Sequence, residues 1–242
     1  MDRRPQFQEL THERLGDRFA DALSTYDTQR RVDVLVDEFL TDDMIAGRRV
    51  LDVGCGLGFF SERLVQRGAI VTACDLGPGL VEKTKARARC EAVVADALRL
   101  ADTFGANQFD AVISSECIEH TPSPVDALRQ MVAVVKPGGM VAVSTPNRLW
   151  QPVVRLASRA RLRPFDGYEN FSTWRGIRRT FQDEGADVIA ERGLHLFPFQ
   201  FGLHALSTWC DGHLQAARAL MINVCVLARK LGGPAAESRG PR

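Results

Sequence analysis

The sequence predicts an α/β fold in which a mostly parallel sheet is covered by helices on both faces. Strand-length apolar runs at 49–53, 69–75, 91–95, 109–114 and 138–145 alternate with helix-length segments near 59–67, 79–89 and 123–135. That alternation closes into a parallel sheet whose faces the helices bury. The first strand also runs straight into glycines at alternate positions, Gly54, Gly56 and Gly58, which marks a tight strand-to-helix turn. At 242 residues the chain suits one domain with a substantial core.

Taken in order, Phe7 to Leu23 and Gln29 to Leu40 carry apolar residues at helical spacing, Val32, Leu35, Val36, Phe39 and Leu40 among them. They predict two helices before the sheet, forming part of a lid. The expected division is therefore 1–45 for these helices, 46–230 for the domain proper and 231–242 for a tail. Val50-Leu51-Asp52-Val53 is the first strand, and its glycine turn lets the backbone approach a ligand, with a helix opening at Phe59. Val71-Thr72-Ala73-Cys74-Asp75 is the second, ending in an acid that can accept from both ribose hydroxyls. The glycine spacing is G-x-G-x-G and not G-x-G-x-x-G, so the turn is not shaped for a pyrophosphate. The ligand it predicts is one nucleoside with a small tail. After the fifth strand come a helix at 173–184 and strands near 186–192 and 221–229. No helix-length crossover obliges the last of these to be parallel, and an antiparallel edge strand fits. The small, polar, Pro/Gly-rich end from Gly232 to Arg242 predicts disorder.

Composition narrows the function. Thirty-one basic residues against 30 acidic ones give a net charge of +1, which supplies no global field for nucleic acid. The six cysteines show no C-x-x-C spacing, and they read as reduced thiols of a cytoplasmic protein. Met1 to Gln6 lacks the apolar core of a signal peptide, and no apolar run approaches membrane-spanning length. The expectation is a soluble or peripherally attached protein.

Beyond the fourth strand, Glu116, Glu119 and His120 stand at i, i+3 and i+4, so an α-helical turn would put all three on one face. Two carboxylates and an imidazole suit Mg²⁺ or Mn²⁺, which could acidify a bound hydroxyl. The competing reading makes His120 a metal-free general base oriented by Glu119. His195, following the sixth strand, falls near the carboxyl ends where ligands bind and is a further ligand or second base, or an ordinary partly buried histidine. His204 and His213 read as structural, and Phe197, Phe199, Phe201 and Trp209 as core or as an apolar acceptor pocket. From Arg148 to Arg179 eight arginines face only Asp166 and Glu169. Arg155, Arg159 and Arg163 repeat every four residues beside Trp150, Val153, Val154 and Ala157. A helix over 148–163 would be basic on one face and apolar on another, suited to an anionic membrane surface or to covering an acceptor site.

Asp52-Val53-Gly54-Cys55-Gly56 with Leu57-Gly58, Asp75, Ala95-Asp96-Ala97 and Lys136-Pro137-Gly138-Gly139 occur in order at intervals that resemble the class I S-adenosylmethionine-dependent methyltransferases. The resemblance covers about 30 to 230. Ser115-Glu116-Cys117-Ile118-Glu119-His120 together with Gly193-Leu194-His195 is most similar to the ubiquinone-biosynthesis O-methyltransferases. It implies a Rossmann-like sheet of seven strands with the last antiparallel. It further implies a cofactor set of Arg31, Asp52, Gly54, Cys55, Gly56, Gly58, Asp75, Leu76, Asp96, Ala97 and Ser115. Within that set Arg31, with Arg30 as a substitute, takes the cofactor carboxylate, and Gly54 and Gly56 admit the methionine and ribose. Asp75 holds the ribose diol, Leu76 packs on the adenine, and Asp96 accepts from its amine, unless Asp96 caps a turn at 97–101.

The function these readings converge on is transfer of a methyl group to a hydroxyl of a small aromatic, quinone-like or natural-product acceptor, leaving S-adenosylhomocysteine. Catalysis falls to His120, Glu119 and His195. A same-fold alternative is metal-dependent RNA 2′-O-methylation of the E-x-x-E-H type, opposed by the near-neutral charge. A third is a non-catalytic cofactor-binding scaffold. The sequence does not set the oligomeric state.

Overall fold

The structure, a computed structural model, describes residues 25–159, 169–196 and 202–232. Seven strands form one sheet: β1 Arg49–Val53, β2 Ile70–Asp75, β3 Glu91–Val94, β4 Phe109–Ser115, β5 Val135–Pro146, β6 Ala186–Leu194 and β7 Asn223–Lys230. Their order is β3-β2-β1-β4-β5-β7-β6. The pairs among β1 to β5 are parallel, while β7 runs antiparallel to both β5 and β6. The expected seven-stranded Rossmann-like sheet with an antiparallel last strand is present.

Side-chain alternation along the strands divides the core between two faces. Leu51 and Val53 join Leu128 and Met131 of the helix Pro124–Val134 and Ile177 and Phe181 of the helix Trp174–Asp183. On the opposite face, Val50 joins Phe60 and Leu64 of the helix Phe59–Gln66. The same alternation carries Asp52 to the Val50 face, under that helix.

The helix expected at Gln29–Leu40 begins at Thr25, runs to Val32 and widens into a π-helical stretch, Asp33–Glu38. Its Val34, Leu35 and Val36 are buried in the second cluster. This helix is therefore part of the core layer as well as a wall beside the sheet's carboxyl edge. The helix expected at Phe7 to Leu23 and most of the expected tail lie outside the described residues. The turn expected at Lys136 to Gly139 is absorbed into β5, where Gly138 has φ +81° and the register with β4 shifts between Phe109 and Ala111.

Because β1 is flanked by β2 on one side and β4 on the other, the connections leaving the carboxyl ends of β1 and β4 diverge. A crevice opens between them, the place where open α/β sheets bind ligands. The glycine turn follows β1 and the Ser115 to His120 segment follows β4, so both sequence motifs meet there.

Candidate active site

The glycine turn is held from below. Asp75 Oδ2 accepts from the Gly56 N–H at 3.0 Å and Oδ1 from the Gly77 N–H at 3.0 Å, while Thr84 Oγ1 donates to the Gly56 carbonyl at 3.0 Å. Each Asp75 oxygen still has acceptor capacity beyond these bonds. Two of the glycines do different work. Gly54 sits at φ +73°, and a Cβ there would lie 2.5 Å from Cys117 Sγ, so this glycine lets the segment after β4 press onto the turn. Its open face, expected to admit the ligand, is filled by Cys117. At Gly56, φ is +52° and a Cβ would meet nothing within 4 Å; this is where the backbone stands open to a ligand. Gly58 gives its room to helix packing, against Thr84.

Asp52, expected in the cofactor set, is instead internal. It is buried beneath the Phe59–Gln66 helix, where Ser61 Oγ donates to its Oδ2 at 2.5 Å. Burial, opposed by that bond and reinforced by Asp75, pushes its carboxyl up to about 7. Cys55 packs with Ala73, Val81 and Ala92, and burial raises its thiol far out of the reactive range. Leu76 and Asp96 are half-buried and Ala97 is buried. Asp96 Oδ1 accepts from the Leu98 N–H at 2.9 Å, the turn-capping role weighed for it, which leaves Oδ2 for another donor.

After β4 the chain departs from the expected α-turn. Glu116 takes a left-handed conformation, φ +51°, and Ile118–His120 form a 3-10 turn, with three residues per turn where an α-helix has 3.6. The side chains therefore separate. Glu116 Oε1 accepts from Asn223 Nδ2 at 3.0 Å and from Ser144 Oγ at 3.3 Å. Glu119, 1% exposed, turns inward and accepts from Thr145 Oγ1 at 3.0 Å. His120 stays part-exposed, its Nε2 3.9 Å from Glu119 Oε1. No group of three or more His, Cys, Asp or Glu side chains among the described residues is arranged to hold a metal ion. The predicted Mg²⁺ or Mn²⁺ set of Glu116, Glu119 and His120 does not fit, because the turn is 3-10 and Glu119 is committed to Thr145. Burial, with repulsion from Glu119 and against attraction by Arg31, pushes Glu116 up to about 8. Burial likewise brings Glu119 to about 7.

Arg31 closes the other side. It is 4% exposed and donates through Nη1 to Ser115 Oγ at 2.8 Å and through Nη2 to Asp27 Oδ2 at 2.8 Å. Ser115 Oγ in turn lies 2.9 Å from Ser144 Oγ. Arg31 Nε is buried with no hydrogen-bond partner among the described residues. A buried guanidinium donor of this kind fits an anionic ligand group. His195, expected to catalyse, is fully buried with φ +61°. Its Nε2 lies 2.9 Å from Asp27 Oδ1 and its Nδ1 3.4 Å from Ser207 Oγ. With both ring nitrogens engaged inside the protein, His195 is a fixed internal group and neither base nor ligand. Asp27, which the sequence reading left out, is its partner. Of the other residues singled out, His204 stacks on Tyr26 at 4.0 Å and His213 on Trp209 at 4.8 Å. Phe197, Phe199 and Phe201 lie outside the described residues.

Residues 51–143 match the family described as methyltransferase domain. Over 108 residues the chain is 42% identical to a ubiquinone biosynthesis O-methyltransferase of Xanthomonas oryzae pv. oryzae, a stretch that takes in 43% of this chain and 45% of that relative. The chain thus spans about half the length of the curated relatives it matches. Among solved structures it resembles magnesium protoporphyrin IX methyltransferase from Synechocystis PCC 6803 bound to SAH, with TM-score 0.61 and 18% identity over 84% of this chain and 83% of that one. It also resembles a cyclase, with TM-score 0.60 and 20% identity over 84% and 81%. At such identities the likeness establishes the fold, and a cyclase on the same fold shows that fold alone does not set the reaction. Fold, glycine turn and matched segment together define a methyltransferase domain of the class I, S-adenosylmethionine-dependent kind.

The raised carboxyls have a consequence for stability. An acid raised on folding, such as Glu116 from 4.5 to about 8, binds more protons folded than unfolded between those values. Its contribution is therefore complete at the acid end and is lost as pH rises through about 8. Glu116→Gln carries no such charge, so relative to the parent it should gain stability progressively from about pH 5 to about pH 8.5. Urea midpoints measured across that range check this; a difference that does not change with pH contradicts it.

Proposed function

We propose that the protein is an S-adenosylmethionine-dependent O-methyltransferase acting on a hydroxyl of a small aromatic, quinone-like or natural-product acceptor. The observation that carries this reading is the contact of Cys117 with Gly54, which puts the cofactor turn and the His120 turn on the two sides of one crevice. The 42% identity to a ubiquinone biosynthesis O-methyltransferase supports oxygen as the acceptor atom. Asp75 and Asp96 offer acceptors to the ribose and the adenine amine, Gly56 gives backbone access, and Arg31 Nε is a donor for the carboxylate. When bound, S-adenosylmethionine supplies an electrophilic methyl group on a sulfonium leaving group.

The chain's own task is to align the acceptor oxygen with that methyl group and to remove its proton. His120, part-exposed at the end of the 3-10 turn, is the group placed to take it. Glu119, fixed by Thr145 and 3.9 Å from the imidazole, stabilises the imidazolium that results. No step passes through a metal. RNA 2′-O-methylation of the metal-dependent type loses its ligand set here, and net charge +1 gives it no electrostatic support. Peripheral membrane contact through 148–163 is supported by the helix Gln151–Arg159, where Leu149, Val153 and Leu156 are all exposed beside Arg155. No helix among the described residues is long and apolar enough to cross a membrane.

Three measurements test the reading. Asp75→Ala should retain the fold and lose roughly 1–3 kcal/mol of S-adenosylhomocysteine affinity by calorimetry, because it removes an acceptor from both the ligand and the Gly56 N–H; unchanged affinity defeats the cofactor assignment. With labelled S-adenosylmethionine, label should pass to a catechol pool and not to an RNA pool, should persist in chelator, and should fall about a hundredfold or more in His120→Ala. Label found in RNA, or a fully active His120→Ala, reverses the assignment. Co-sedimentation should favour anionic over neutral vesicles at low salt, each arginine near the surface adding about 1 kcal/mol; equal binding to both removes the membrane contact.

A further inference from the structure

We propose that Asp27 is a positioning residue of the methyl-transfer site, a single carboxylate that fixes Arg31 against His195 and so holds the guanidinium where the cofactor carboxylate docks. The proposal rests on the cofactor reading above and assigns a role to a residue that reading does not use. Asp27 divides its two oxygens, Oδ2 to Arg31 Nη2 at 2.8 Å and Oδ1 to His195 Nε2 at 2.9 Å. His195 is the fixed end of this chain of bonds. It is fully buried, its N–H donates to Asp211 Oδ1 at 2.9 Å, and its carbonyl accepts from the Ile222 N–H at 3.1 Å. The ring is thereby tied to the junction of β6 and β7, on the far side of the sheet from the glycine turn.

Arg31 is the other end. Its planar fork is held at Nη1 by Ser115 at the end of β4 and at Nη2 by Asp27. A guanidinium gripped at both terminal nitrogens by acceptors on different elements has a fixed plane, which leaves Nε as its donor without a partner. Without Asp27, the same guanidinium is a buried charge with only hydroxyl partners, Ser115 and Thr28, and such a charge moves toward solvent. Tyr26 supplies a separate anchor for this helix: its hydroxyl lies 2.8 Å from Thr208 Oγ1 and donates to the His204 carbonyl at 3.0 Å. Attachment of the helix and orientation of Arg31 can therefore be tested apart.

The test is calorimetry of S-adenosylhomocysteine on the full chain, with Asp27→Asn, Asp27→Glu and Tyr26→Phe beside the parent, and thermal melts to establish folding. The sign of the change discriminates. If Asp27 acted only as a charge, its neutralisation would free Arg31 for an anionic ligand and tighten binding; a positioning carboxylate makes binding looser. Asp27→Asn should bind about tenfold or more weakly, with KM for S-adenosylmethionine rising more than kcat falls. Asp27→Glu should lie between it and the parent, and Tyr26→Phe should stay within twofold of the parent. Binding in Asp27→Asn that is unchanged or tighter overturns the proposal, as does an equal loss in Tyr26→Phe. Should Asp27→Asn fail to fold, His195→Gln carries the test. It keeps the Asp27–Arg31 pair and removes its fixed end, and binding within twofold of the parent overturns the proposal. A parent protein that binds no S-adenosylhomocysteine overturns the cofactor reading and this proposal together, whereas parent binding that survives in the variants overturns this proposal alone.

Discussion

The divergence of the chain on the two sides of β1 is the constraint on which the rest of the structure depends. With β2 on one side and β4 on the other, no connection crosses the carboxyl end between them, and the crevice left there has to be lined by whatever follows those strands. The lining is kept close by a contact that only glycine permits: at Gly54 the space for a Cβ is taken by Cys117. A side chain at that position would separate the cofactor turn from the His120 turn. The distance between donor and base is thus set by backbone packing, before any catalytic side chain is considered.

Around the crevice the chain buries an unusual number of ionisable groups, and they are accommodated in two ways. Asp27 and Arg31 are kept charged: burial alone would raise the aspartate, but the guanidinium and His195 outweigh it and hold its carboxyl below the ordinary value, while Asp27 and Glu116 keep Arg31 raised. Glu116 and Glu119 take the other course and move toward the neutral acid near physiological pH. Desolvation makes four buried charges costly, and one ion pair with two acids that can hold protons is the less expensive arrangement. The same arrangement suits proton transfer, since a carboxyl that titrates near 7 beside His120 can share a proton with little change in free energy.

The sheet was legible in the sequence because strand-length apolar runs report burial on both faces directly, and β1 to β5 fall within a few residues of where those runs place them. The glycine turn and Asp75 were legible because close backbone approach leaves a residue signature. What failed was inference across turns. Glu116, Glu119 and His120 have the spacing of a shared α-helical face, but the left-handed backbone at Glu116 and a 3-10 turn send Glu119 inward, and nothing in the local sequence marks that change. Asp27 lies four residues before Arg31, a pairing that spacing could have found. It was missed because the helix was expected to begin at Gln29, two residues too late. Its bond to His195 spans 168 positions and has no local signature at all.

A fold shared with a cyclase at TM-score 0.60 places the burden of specificity on what this chain adds to the common sheet. Those additions are the Thr25–Val32 helix and the segment from Leu194 to Asn223, which meet through Asp27 and Tyr26 across the carboxyl edge. Both are joined to the cofactor side by hydrogen-bonded side chains: Asp27 to Arg31 to Ser115, then Ser144, then Glu116 and Asn223. Each member is buried or half-buried, so loss of one leaves its neighbour unsatisfied in a low-dielectric setting, and that penalty exceeds the net value of any single bond. The site is therefore specified as a unit. Its geometry follows from the requirement that buried polar groups be paired, applied along a path running from the first described helix to the last strand.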